Sequence, residues 1–246
     1  ASLGIPLLGA WGYPPDPFLP LSHTWERGLG VREQKSAASH IHEEDKMRLQ
    51  GKVALITGAA RGIGAEIARV FSKEGARVAI GDVLEPEGRQ TEAELKKAGG
   101  EALFLRLDVT SEQDWQRVVK SVLDRFGRLD VLVNNAGISK RFSLEEYPVE
   151  MWDLMFAVNV KGVFLGARTV IPIMRKQGGG CIVNMSSIAG LVGHKTSSEA
   201  YIATKAAVNM FTKAIAVHYA KDNIRSNSLH PCTVETPLVT DLFKNP

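Results

Sequence analysis

The sequence predicts an α/β fold, a doubly wound parallel sheet of the Rossmann type in three layers. Three observations predict it. From Lys52 onward, short runs rich in Val, Ile and Leu alternate with longer helical patterns, as βαβ units require. Those runs are nearly apolar throughout rather than alternating, which fits strands covered on both faces. The first run enters the first helix through a glycine-rich loop, "TGAARGIG" at 57–64.

The strands follow in order. "KVALITG" ends in glycine, and "ARVAIGD", "EALFLRLDV", "LDVLVNNAG", "GCIVNMSS" and "NIRSNSLH" repeat its character. Between them lie predicted helices at 62–74, 86–98, 111–126, about 146–176 and about 199–220. No internal repeat is present. With 246 residues, 44% of them hydrophobic, the chain can bury one sizeable core.

Composition changes near Met47. The first residues, "ASLGIPLLGAWGYPPDPFLPLSH", carry Pro6, Pro14, Pro15, Pro17 and Pro20, a density that opposes both helix and central strand. They also lack the basic start and unbroken apolar core of a secretory signal. A polar stretch, "REQKSAASHIHEEDK", follows. Residues 1–46 are therefore expected to be poorly ordered or outside the core fold, and 47–246 to be the folded domain. His40, His42, Glu43, Glu44 and Asp45 read as a solvated charge run, with no metal site expected.

The charge balance, 30 Lys plus Arg against 27 Asp plus Glu without a basic run, predicts no nucleic-acid partner. No apolar run looks long enough to cross a bilayer, so no membrane partner is expected. Two cysteines, Cys181 and Cys232, are too few for a disulfide framework and suggest a cytoplasmic setting.

The glycine loop carries the first chemical signal. Gly58 permits a tight turn, and Gly62 and Gly64 allow backbone to approach a bound group and the helix to pack on the sheet. The loop, including Arg61 and Ile63, opens a helix whose unpaired N–H groups suit a pyrophosphate. Asp82 ends the second strand, where a carboxylate accepts hydrogen bonds from adenosine ribose hydroxyls and repels a 2′-phosphate. That favours NAD over NADP. Arg61 pulls the other way, since a guanidinium there could pair with a 2′-phosphate; the better-defined ribose contact of Asp82 decides the expectation.

The second signal is "SSEAYIATKAAVNMF" at 197–211, which sets Tyr201 and Lys205 one helical turn apart on one face. A free tyrosine has a pKa of roughly 10, high for a base near neutral pH. An adjacent ammonium stabilises tyrosinate, so Lys205 is expected to lower the pKa of Tyr201.

With "TGAARGIG", "NNAG" at 134–137, "NMSS" at 184–187 and "YIATK" at 201–205 in this order, the chain resembles the short-chain dehydrogenases/reductases from about residue 50 to 240. "CIVNMSSIAGLVG" and "FTKAIAVHYAKDNIRSNSLHP" look like bacterial alicyclic-alcohol and hydroxysteroid dehydrogenases. The resemblance implies an NAD-dependent exchange of hydride with a secondary alcohol or ketone. Tyr201 would be the general acid/base, Lys205 would lower its pKa and hold the nicotinamide ribose, and Ser187 would bind the substrate oxygen. Asn159, in "FAVNVKGVF", would hold a water linking Lys205 to solvent. Asn135, Ala136 and Gly137 would line the cofactor near the adenosine ribose, and Asp108 and Val109 would contact adenine. Pro231, Val234 and Thr236, in "HPCTVETP", would meet the nicotinamide end.

Cys232 stands where the resembled family has glycine; at a positive φ it would be strained by roughly 1–3 kcal/mol. His194 is expected to be an exposed loop residue and His230 to pack. The family continues past "TPLVTDLF" into a further helix and a seventh strand, so the sequence ending at Pro246 reads as truncated, with its sixth strand an open edge. Completed, the chain would be expected to form a homo-oligomer, dimer or tetramer. Two other readings stand beside the enzyme: a catalytically impaired dinucleotide-binding sensor or scaffold, and an interaction module acting through residues 1–30.

Overall fold

The computed structural model describes residues 47–193, 195–236 and 240. The expectations placed on residues 1–46, on His194 and on the end of the chain lie outside the described residues.

Among the described residues six strands form one parallel sheet: β1 (Val53–Thr57), β2 (Arg77–Asp82), β3 (Ala102–Arg106), β4 (Val131–Asn134), β5 (Gly180–Met185) and β6 (Ile224–Leu229), in the order β3-β2-β1-β4-β5-β6. Chain order reverses between β1 and β4, where a doubly wound sheet opens a crevice at the carboxyl ends of its strands. Leu55 on β1 pairs with Ala79 and Leu132, and Asn134 on β4 sits opposite Asn184 on β5.

The helices are α1 (Gly62–Lys73), α2 (Glu85–Lys97), α3 (Glu112–Phe126), α4 (Val149–Phe156), α5 (Gly162–Lys176) and α6 (Glu199–Tyr219). The sheet is covered on both faces, as its apolar strands require. On one face Trp115, Val118, Leu132, Met174, Ile182 and Ile215 join α3, α5 and α6 to the sheet. On the other, Ile56, Ala68, Ile80, Leu95 and Phe104 do the same for α1 and α2. Sequence sets the ends: the Ser111 hydroxyl accepts from Asp114 N–H at the start of α3 (3.2 Å), and Gly127 closes that helix in the left-handed region at φ 77°.

Two expectations need correction. The predicted helix at 146–176 begins only at Val149, after a 3₁₀ turn at Leu144–Glu146, and a π-helical turn at Ala157–Lys161 divides it. "FAVNVKGVF" keeps a helical apolar spacing straight through that turn, so the pattern carries no mark of it. The continuous run Val149–Lys176, 28 residues, also contains a window with mean hydropathy 1.5, long and apolar enough to cross a membrane by length and composition, contrary to the expectation of no such run. Half of that window is buried within the fold, where α5 lies on β4 and β5.

Candidate active site

The loop after β1 is shaped by what its glycines lack. Gly58 has φ +63°, and a Cβ on it would lie 2.7 Å from Ala136 Cα. A Cβ on Gly64 would strike the Gly58 carbonyl and stand 2.6 Å from Asn135 Nδ2, so backbone would have to move. Side chains from three other elements hold the loop. The Asp82 carboxylate accepts from Ala60 N–H (2.9 Å) and Leu84 N–H (3.0 Å). The Thr91 hydroxyl donates to Ala60 C=O (2.8 Å), and Asn135 Nδ2 donates to the carbonyls of Thr57 and Gly58 (both 3.0 Å). The Thr57 hydroxyl in turn accepts from the N–H groups of Asn135 and Ala136 (both 3.0 Å). Arg61, at the N-cap of α1, makes no side-chain cap, leaving the first N–H groups of that helix for another partner.

At the other end, Ser187 follows β5 while Tyr201 and Lys205 start α6, a helix capped by the Ser198 hydroxyl accepting from Tyr201 N–H (3.4 Å). The Ser187 hydroxyl stands beside the Tyr201 phenol and also accepts from Ala189 N–H (3.2 Å), so the serine is at once a turn cap and a neighbour of the tyrosine. Ser186 differs: its hydroxyl donates to Lys205 C=O (2.8 Å), which separates the roles of two adjacent serines. Lys205 is buried at 4% exposure; its Nζ donates to Met185 C=O (2.8 Å) and lies 5.5 Å from the Tyr201 ring centroid.

The electrostatics correct one expectation. Burial pushes the Tyr201 phenol above its ordinary value, and the Ser187 hydrogen bond pulls it only partly back. Lys205 does not set the direction here. Its ammonium sits over the ring face, is held by the Met185 carbonyl, and is itself weakened by burial, which brings its pKa down to about 8.

Asn159 lies on the π turn and is buried. Its Oδ1 accepts from Ile138 N–H (2.8 Å), and its Nδ2 donates to Ile138 C=O (2.9 Å) and to the Thr204 hydroxyl (3.2 Å). Both amide protons are thus used within the protein. The side chain clamps the segment after β4 to α6. Cys232 is exposed and borders the site, but among the described residues the one non-glycine with positive φ is Asn223, so the expected strain at Cys232 is absent.

A cleft of about 430 Å³ joins the two ends. Gly58, Arg61, Gly62, Ile63 and Asp82 line it from the loop side, and Asp108 and Val109 from the loop after β3. Asn135, Ala136 and Gly137 line its middle; Ser187, Tyr201, Lys205, Pro231, Val234 and Thr236 line the far end. Of the residues singled out in the sequence, Gly64 and Asn159 do not line it; both pack behind the wall. Sequence reasoning missed Thr57, Thr91, Ile138 and Met185, which shape the wall through contacts fixed only by the sheet. It also took His230 for packing, whereas its ring nitrogens lie 2.9 Å from Ser228 Oγ and 3.0 Å from Ser187 O.

The cleft fits a dinucleotide. A backbone cradle that a Cβ would fill, the N-terminus of α1 and a buried carboxylate at the end of β2 stand at one end, and a phenol, a hydroxyl and an amine converge at the other.

Comparison with known proteins agrees. A family model described as short chain dehydrogenase matches residues 52–246. The chain is 47% identical over 199 residues to a cyclopentanol dehydrogenase of Comamonas testosteroni, covering 81% of this chain and 79% of that one. It is 45% identical over 191 residues to a 3-alpha-(or 20-beta)-hydroxysteroid dehydrogenase of Mycobacterium tuberculosis, covering 78% and 72%. Among solved structures, a 3-ketoacyl-(acyl-carrier-protein) reductase from Brucella melitensis complexed with NADH superposes with a TM-score of 0.75 at 38% identity, covering 78% of this chain and 79% of that one.

Proposed function

The chain belongs to the short chain dehydrogenase family and is an oxidoreductase, and from that premise we propose that it interconverts a secondary alcohol and a ketone with NAD(H), Tyr201 carrying the proton. One observation supports this reading above the others: the half-buried phenol of Tyr201 stands beside the Ser187 hydroxyl at the far end of the cleft that begins at the glycine loop. Bound in the cleft, the nicotinamide supplies a ring carbon that accepts or returns hydride.

The residues do the rest. Ser187 donates to the substrate oxygen and holds it against the phenol. In reduction Tyr201 gives its proton to the carbonyl oxygen as the adjacent carbon gains hydride. In oxidation tyrosinate takes the hydroxyl proton as the same carbon loses hydride. Lys205 holds the nicotinamide ribose and its charge favours tyrosinate.

Asp82 supports NAD over NADP. Its carboxylate is already turned into the loop by Ala60 and Leu84, retains lone pairs for ribose hydroxyls, and would repel a 2′-phosphate. The names of the relatives in Comamonas and Mycobacterium support an alicyclic or otherwise apolar alcohol as substrate. Two free cysteines, Cys181 and Cys232, support a cytoplasmic setting. Exposed Phe164, Met210 and Val217 on α5 and α6 support assembly with further copies of the chain.

The test is a panel of cyclic secondary alcohols with NAD, followed by NADH absorbance, beside calorimetric titration of NAD and NADP. Turnover with tighter binding of NAD is the expected result. Binding without turnover of any alcohol contradicts it and leaves a dinucleotide-binding sensor or scaffold.

A further inference from the structure

His230 follows β6 at the same end of the sheet as Ser187. Beyond the paired strands the ladder continues, with Ser186 N–H donating to Leu229 C=O (2.8 Å) and Ile188 N–H to Pro231 C=O (3.0 Å). Pro231 has no N–H to return to the β5 side. The ring of the preceding residue supplies a donor instead: His230 Nδ1 lies 3.0 Å from the Ser187 carbonyl oxygen. A carbonyl only accepts, so Nδ1 carries a proton. The other nitrogen, Nε2, lies 2.9 Å from Ser228 Oγ, which is 3.4 Å from Asn209 Oδ1 on α6, one turn beyond Lys205.

We infer that His230 is a positioning residue for Ser187: its Nδ1–H fixes the Ser187 peptide, and its Nε2 accepts from the Ser228 hydroxyl, a relay that ties that peptide to β6; the hydroxyl's one proton goes to the nearer Nε2, so Asn209 is a neighbour of the relay and not a link in it. The Ser187 hydroxyl is already drawn toward its own turn by Ala189 N–H. Its aim toward the phenol therefore depends on the peptide plane beneath it, and the histidine pins that plane. A displacement of about 1 Å at such a group lowers a rate by roughly 100-fold. The inference rests on the roles proposed above for Ser187 and Tyr201.

Two measurements test it. In the full chain labelled with ¹⁵N-histidine, the His230 ring, assigned by the signal lost in His230→Asn, should show a protonated Nδ1. A neutral ring protonated only at Nε2 overturns the inference. In NAD-linked oxidation of cyclopentanol, His230→Leu should lower kcat roughly 10- to 100-fold with the NAD dissociation constant unchanged. His230→Asn, whose amide nitrogen falls near the position of Nδ1, should recover most of that loss. Wild-type kcat in His230→Leu, or equal losses in the Leu and Asn variants, overturns the positioning role. If His230→Leu fails to fold, Ser228→Ala takes its place; it should lower kcat severalfold, and an unchanged kcat counts against the relay. Absence of turnover in the unmutated protein, with the His230 ring signal intact, overturns the functional reading and the positioning role with it.

Discussion

At the β1–β2 end of the cleft the wall is largely backbone, with Gly58 and Gly62 at its surface, Gly64 packed behind them, and the loop supported by Asp82, Thr91 and Asn135. At the β5–β6 end the wall is side chains that carry protons, with Ser187, Tyr201 and Lys205 held by Ala189, Ser198 and Met185. On the proposed function the first end would recognise its ligand by shape, the Asp82 carboxylate apart. It should suffer from a single added methyl group and tolerate changes of polarity. On the proposed function the second would work through individual atoms, so that removing one oxygen should leave the shape intact and abolish the chemistry.

Four changes would break or sharpen that contrast. The largest effect belongs to Tyr201→Phe, which removes one oxygen. Turnover should fall by about 1,000-fold while NAD affinity and melting temperature hold, measured by NADH absorbance, calorimetry and thermal unfolding. Next comes Gly64→Ala, which adds one carbon where Gly58 and Asn135 already stand. NAD affinity should fall roughly 100-fold, or about 2.8 kcal/mol, with a lowered melting temperature. If the two ends were alike, either change would affect binding and turnover together.

The third prediction concerns the buried amine. Burial brings Lys205 from 10.5 down to about 8 in the fold. Between those values the unfolded chain binds more protons than the folded one, so stability rises with pH there. Below about pH 8 the folded state carries the full penalty of a buried ammonium, on the order of 3 kcal/mol. Denaturant unfolding of the wild type should therefore gain on Lys205→Met as pH rises from about 8 to 10.5. The smallest effect is expected for Asp82→Ala, a shift of roughly tenfold in the NAD-to-NADP affinity ratio toward NADP. A mutant that keeps its full preference for NAD would remove Asp82 from cofactor choice.

The legible and illegible parts of the molecule divide along physical lines. Strands such as "KVALITG", the glycine loop and the Tyr201–Lys205 spacing are local patterns, and the sequence displays them directly. Thr57, Thr91 and Asn135 act through partners tens of residues away, which the parallel register alone brings together. The π turn at Asn159 interrupts no apolar spacing and leaves no trace until Ile138 and Thr204 are in place. The pKa of Tyr201 was misread for a related reason. Helical spacing says that the amine is near, but the burial that raises the phenol is a property of the packed domain. His230 carries nothing distinctive in "SNSLHP"; its partner, Ser187, is 43 residues away.

The proton-carrying role of the phenol is tested most directly by the single-turnover rate of cyclopentanol oxidation, followed by stopped-flow absorbance of NADH from about pH 6 to 10. If Tyr201 must be ionised to accept the hydroxyl proton, the rate rises with pH across that range, and that rise is lost in Tyr201→Phe. A wild-type rate that stays flat across the whole range, or an equal rise in the phenylalanine variant, would contradict it.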